Sequence, residues 1–215
     1  MLFIIAFYSF FCTNEITLVM KKIVILASGS GTNAESIIKY FETKTIGTVV
    51  AVFTNNPVAK VIERAKNCHL PTEIFSKAEL NEGLVLQKIN AIQPNLIVLA
   101  GFLLKIPASI IESYPNKIVN IHPALLPKYG GKGMYGMNVH RAVIENREKQ
   151  TGITIHFVNE NYDEGNIIFQ KTVALTATDS PESVAEKIHK LEQDNFPIVI
   201  EKLLTPSSQL PTSNL

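Results

Sequence analysis

The chain has no tryptophan, only two cysteines and no surplus of either charge: twenty Lys and Arg stand against nineteen Asp and Glu in 215 residues, a formal +1. Each shortage excludes something. Cys12 and Cys68 cannot build a disulfide framework or a four-thiolate metal centre, so a reducing cytoplasm is the simplest home. Without a basic excess or stripe there is no electrostatic footprint for nucleic acid. No uninterrupted apolar run reaches the roughly 20 residues of a membrane span. What is present is 46% hydrophobic residues, enough for a sizeable core and too much for a disordered or collagen-like chain. The length suits one large domain or two small ones.

The two ends differ from the body. Met1–Phe11 is almost wholly apolar with no basic residue before it, and Asn14 and Glu15 interrupt it. Residues 1–19 are therefore expected to be a non-native upstream extension, with Met20 as the start; a degenerate signal or anchor is the alternative. Residues 205–215, polar and Pro-containing, are expected to be a mobile tail.

Residues 20–204 read as one domain. Ile23–Ala27 is a short apolar run followed by Ala34, Ile37, Ile38 and Phe41 at helical spacing. Strands are expected at Val49–Phe53, Thr72–Phe75, Leu96–Ala100 and Lys117–Ile121, and helices at Val58–Lys66 and Leu80–Ile92. Strands alternating with helices imply a doubly wound α/β fold, Rossmann-like, with a mostly parallel sheet. After Gly152 the pattern changes: Ile153, Ile155 and Phe157 alternate with Thr154 and His156, and Ile167–Val173 follows, so an antiparallel pair is expected at one edge. A closing helix is expected from Pro181, with a kink at Pro197.

Four stretches carry chemistry. Ser28-Gly29-Ser30-Gly31-Thr32-Asn33 lies between a strand and a helix, where glycines and free N–H groups can receive an anion. Gly29, Gly31 and Ala34 formally fit the dinucleotide pattern, but the second strand ends in Thr54-Asn55-Asn56 with no acid to hold a ribose, so a phosphate on a small substrate fits better than NAD. The bland reading is a tight turn. Asn120 and His122 share one side at the end of a strand, and an amide beside an imidazole suits a carbonyl oxygen that becomes negative during attack. Taken alone, Asn-x-His is often structural. Asn159–Gly165 is an acidic turn in which Glu160 and Glu164 read as solvated and Asp163 is ambiguous. On the last helix, Glu192 reads by default as a surface salt-bridge carboxylate.

Ala27–Asn33, Leu99-Ala100-Gly101-Phe102, Asn120–Tyr129 and Asp163-Glu164-Gly165 together resemble the phosphoribosylglycinamide formyltransferase family, over about Met20–Leu204. The Asn-x-His-Pro segment is shared with other formyltetrahydrofolate enzymes; the Gly-rich loop narrows the match. The resemblance implies a direct transfer of formyl from 10-formyltetrahydrofolate, as co-substrate, to the amine of phosphoribosylglycinamide in purine (IMP) biosynthesis, with no metal. It implies that Asn120 contacts the formyl group, that a protonated His122 is the general acid and that Asp163 supports it. Gly31, Thr32 and Asn33 would hold the phosphate, and His189, Lys190, Leu191 and Glu192 the rest of the substrate. Leu103, Leu104, Lys105 and Ile106 would line the folate pocket, and Asn120 with Asn159, Glu160, Asn161, Tyr162 and Asp163 would complete it. The family often carries an Arg around Leu80; here Lys77 is the nearest cation. The Gly130–Gly136 loop is of a longer form. A monomer or weak homodimer without nucleic-acid or membrane partners is expected. The rivals are a formyltetrahydrofolate hydrolase using the same Asn120 and His122, an NAD-dependent dehydrogenase and a non-enzymatic nucleotide-binding module.

Overall fold

The structure, a computed structural model, describes residues 20–205; the expectations for residues 1–19 and for the tail beyond Thr205 lie outside the described residues. Thr205 itself caps the last helix, its N–H meeting the Glu201 and Lys202 carbonyls. Seven strands form one sheet in the order β3-β2-β1-β4-β5-β6-β7. Strands β1 (Lys21–Leu26), β2 (Gly47–Thr54), β3 (Thr72–Ile74), β4 (Leu96–Leu99) and β5 (Ile118–His122) are parallel. Strands β6 (Gln150–Phe157) and β7 (Ile167–Ala174) add antiparallel to β5. The expected mostly parallel sheet with an antiparallel edge is what the chain forms.

The continuous apolar runs of the central strands follow from burial on both faces. Ile23 and Ile25 of β1 pack in one cluster, with Ile37 and Phe41 of α1 (Thr32–Glu42) and Ile188 and Phe196 of α7 (Pro181–Leu204). Val24 and Leu26 pack in the other, with Ile89 of α4 (Leu84–Ile92) and Ile110 of α5 (Ala108–Ser113). Alternate side chains of one strand thus feed opposite cores, as a two-residue period requires. No helix among the described residues is long and apolar enough to cross a membrane.

Several boundaries differ from the sequence reading, each with a local cause. The helix expected over Leu80–Ile92 is two, α3 (Lys77–Asn81) and α4, because Gly83 adopts φ +88°, a left-handed conformation that interrupts the helix. Helix α2 (Val61–Asn67) starts later than Val58, since the Asn56 side chain accepts the Val58 N–H and holds a turn there. Helices α5 and α6 (Met137–Glu145) were not anticipated. Helix α7 starts at Pro181 behind a Ser180 capping box, as expected, and its helical run continues unbroken through Pro197. Strand β6 alternates in sequence, yet Thr154 and His156 are as buried as its apolar residues. The chain after β5 covers that face: Thr154 Oγ1 donates to the Ala124 carbonyl (2.7 Å) and accepts from the Leu126 N–H (3.0 Å).

Chain order reverses at β1, with β2 and β3 on one side and β4 and β5 on the other. In open α/β sheets a crevice opens at such a point, outside the carboxyl ends of the strands.

Candidate active site

A cavity of about 450 Å³ occupies that crevice, walled by the segments that leave β1, β4 and β5, by residues 131–136, by Val158, Asn159 and Asn161–Asp163 and by His189 and Glu192. At one end lies the glycine-rich loop. Ser28 fixes it: its hydroxyl donates to Asn55 Oδ1 (2.6 Å) and accepts from the Leu103 N–H (3.0 Å), while Asn56 Nδ2 donates to its carbonyl (3.3 Å). The two asparagines that follow β2 are therefore spent on shaping the loop. Arg64 Nε donates to the Ser30 carbonyl (2.9 Å) and its guanidinium pairs with Glu35. No side chain caps α1, so the positive end of its dipole is left for an anion.

The loop's two glycines do different work. Gly31 has φ +75° and a Cβ there would sit 2.6 Å from the Val61 side chain, so its smallness serves close packing against α2. A Cβ at Gly29 meets nothing within 4 Å. Of the two, Gly29 is the position at which a side chain would crowd a ligand without disturbing the fold.

At the other end, Asn120 and His122 leave β5 beside Asp163. Asp163 adopts φ +57°, and Gly165 lies so close to the Phe157 carbonyl that a Cβ would overlap it, so this turn is pinned against the end of β6. Asp163 Oδ2 accepts the Gly131 N–H (2.9 Å) and stands 3.5 Å from His122 Nδ1; Oδ1 accepts from Asn120 Nδ2 (3.4 Å) and stands 3.6 Å from His156 Nε2. The Asn120 amide also lies 3.1 Å from His156 Nε2, its cross-strand neighbour on β6. His122 Nε2 is 2.7 Å from the Tyr129 carbonyl. A carbonyl only accepts, so Nε2 carries a proton and Nδ1 is the nitrogen that titrates, facing Asp163.

His122 is 3% exposed. Burial lowers its pKa below the ordinary histidine value, and the opposing pull of the Asp163 carboxylate and the Tyr129 carbonyl does not restore it. The carboxylate acts in the expected direction, but the ring is not held charged at neutral pH as the sequence reading required. Burial works to raise the Asp163 carboxyl; the neighbouring His156 and His122 rings and the Gly131 N–H outweigh it and leave Asp163 ionised.

Other expected residues separate. Glu192, read as a surface carboxylate, is 6% exposed and accepts a 2.9 Å hydrogen bond from Asn33 Nδ2, tying α7 to the start of α1. Burial raises its pKa, with Asn33 and His189 opposing. His189 and Glu192, three apart, share the helix face that lines the cavity, whereas Lys190 and Leu191 do not line it. Lys190 faces solvent in an ion pair with Asp194 and Leu191 packs on the core. Gly31, Thr32, Asn33, Leu103–Ile106, Asn159, Asn161 and Tyr162 line the wall. Glu160 is exposed and off it, and so is Lys77 at the start of α3; the lysines of the wall are Lys105 and Lys132. His140 and His156 also line it, and the sequence reading assigned neither. The β6 alternation that put His156 in line with Thr154 was the available signal.

With this geometry in hand, the comparisons with known proteins are specific. Residues 21–200 match the formyl transferase family. The chain is 40% identical over 185 residues to the chloroplastic phosphoribosylglycinamide formyltransferase of Arabidopsis thaliana, covering 80% of this chain and 62% of that one. It is 35% identical over 192 residues to the phosphoribosylglycinamide formyltransferase of Bacillus subtilis, covering 86% and 95%. The chain thus spans about 62% of the length of its plant relatives and nearly all of the Bacillus one. Among solved structures, glycinamide ribonucleotide transformylase 1 of Geobacillus kaustophilus superposes with a TM-score of 0.80 at 33% identity, covering 87% of this chain and 100% of that chain.

Proposed function

The chain belongs to the formyl transferase family, and from that membership and the cavity's chemistry we propose that it transfers the formyl group of 10-formyltetrahydrofolate to the amine of phosphoribosylglycinamide. The products are formylglycinamide ribonucleotide and tetrahydrofolate. The observation that carries this reading is one cavity with two unlike ends: an uncapped helix start behind Gly29–Asn33, and Asn120, His122 and Asp163 at the end of β5. A phosphorylated amine spans such a cavity with its phosphate at the first end and its nucleophile at the second. Leu103, Leu104 and Ile106 with Asn159, Asn161 and Tyr162 supply an apolar and amide-rich flank suited to a flat folate ring system.

In this mechanism the amine nitrogen attacks the formyl carbon, a C–N bond forms and the carbonyl electron pair moves to oxygen. The Asn120 amide turns the hydrogen of its longer contact, 3.4 Å to Asp163 Oδ1, to that oxyanion. His122, neutral at rest, takes the amine proton on Nδ1 while Asp163 steadies the resulting imidazolium. As the oxyanion collapses, the bond from the formyl carbon to the folate nitrogen breaks and His122 returns the proton to that nitrogen. The depressed basicity of His122 suits the second half, because a weakly held proton is readily given up. Gly31, Thr32 and Asn33 hold the phosphate, and Glu192 with His189 the adjoining sugar.

Mass spectrometry of the ribonucleotide after incubation with both substrates tests the reading. It predicts a gain of one formyl group; an unchanged ribonucleotide in the presence of folded enzyme would refute it.

A further inference from the structure

Among the described residues, one buried side-chain nitrogen or oxygen has no hydrogen-bond partner: Nδ1 of His140. The ring, on α6, is 3% exposed and forms part of the cavity wall. Buried polar atoms are almost always paired within the protein, and an orphan beside a cavity is accounted for when something entering the cavity supplies the partner. The mechanism above makes no use of this ring.

Its surroundings define what it can hold. Burial first, then the imidazoles of His189 and His122, push the His140 pKa down to about 4. Near pH 7 the ring is neutral and presents one N–H and one bare nitrogen. Such a group gives a phosphate no charge to pair with, and it is too weak a base to strip an ammonium. It suits an uncharged hydroxyl or amide. Both neighbours line the same cavity: His189 shares its helix face with Glu192, which is bonded to Asn33 beside the anion loop, and His122 stands at the end of β5. We propose that His140 is a substrate-holding residue, its unpartnered ring nitrogen binding the uncharged ribosyl-glycinamide stretch that joins the phosphate to the amine. This rests on the reaction proposed above and adds to it a contact that sets where the amine lies over His122.

Steady-state kinetics and thermal unfolding of the wild type, His140→Leu and His140→Asn test it. Leucine removes the nitrogen at similar bulk; asparagine restores an amide at the level of Nδ1. His140→Leu raises KM for glycinamide ribonucleotide about tenfold, the worth of one neutral hydrogen bond. KM for the formyl folate stays unchanged, and Tm does not fall, because no bond within the free protein is lost. His140→Asn recovers most of the affinity. An unchanged KM for the ribonucleotide in His140→Leu, equal losses for both substrates, or a lowered Tm overturns the proposal. A wild type that forms no product defeats the reaction itself and this contact with it, whereas wild-type turnover beside an unaffected His140→Leu defeats the contact alone.

Discussion

Acid should weaken this protein through His140 in particular. In the unfolded chain this histidine takes up a proton near pH 6.5; in the folded chain burial and the two neighbouring imidazoles delay that to about pH 4. Between those values the unfolded state binds the extra proton, so stability rises with pH across the window and is lost as pH falls through it. The difference amounts to about 3 kcal/mol when fully expressed, and about 2.5 kcal/mol of it is expressed by pH 4.5. That is a large share of the roughly 5–15 kcal/mol that holds a domain folded. The ring is 3% exposed, so solvent does little to soften the effect. Urea unfolding of wild type and His140→Leu at pH 7 and pH 4.5 isolates it. Burial also lowers the pKa of His122 and raises that of Glu192, and comparing the two proteins largely removes their contribution. The variant should lose about 2.5 kcal/mol less than wild type on acidification. Equal losses would mean that the folded protein accepts the charge at His140, and the picture of a neutral, unpartnered ring would fail.

Asp163→Asn removes the charge that favours the His122 imidazolium, so NMR titration should find the His122 pKa still lower than in wild type, and turnover should drop by at least about 100-fold; an unchanged titration would remove the role. Gly29→Ala should unfold at the wild-type temperature yet bind glycinamide ribonucleotide more weakly, while Gly31→Ala, forced against Val61 at a positive φ, should lose about 1–3 kcal/mol of stability; the reverse order in thermal melts would contradict the loop geometry. Glu192→Gln keeps an acceptor for Asn33 and removes a carboxylate whose pKa burial has raised. The variant should therefore be more stable than wild type at pH 7, lose that advantage below about pH 4.5, and bind the ribonucleotide less well, all readable from melts and KM.

The sheet was legible because buried parallel strands leave apolar runs with hard stops, and Ile23–Ala27 and Leu96–Ala100 have both. The edge pair was legible from the alternation after Gly152. Helix α5 escaped because six residues, Ala108–Ser113, are too few to establish a period, and the break at Gly83 was masked by apolar residues on both sides of it. At the site, Asn120 and His122 could be paired because a strand end fixes them locally. Asp163 could not be joined to them by spacing, since 41 positions separate it from His122 and only the resemblance bridges that gap. His140 was out of reach for the same reason: its partners in the wall, His122 and His189, come from β5 and α7. The charge state of His122 also lay beyond a sequence reading. A nearby carboxylate can be inferred from a motif, but the burial that outweighs it is a property of the packed whole.

The central claim is that the formyl group goes to an amine held in this cavity and not to water. The most direct measurement follows tetrahydrofolate formation by absorbance with and without glycinamide ribonucleotide, and counts free formate at the end. The account predicts product only when the ribonucleotide is present, one formylated ribonucleotide for each tetrahydrofolate and no excess formate. Folate product released at the same rate without the ribonucleotide, with formate in equal amount, would contradict it and assign the site to a hydrolase.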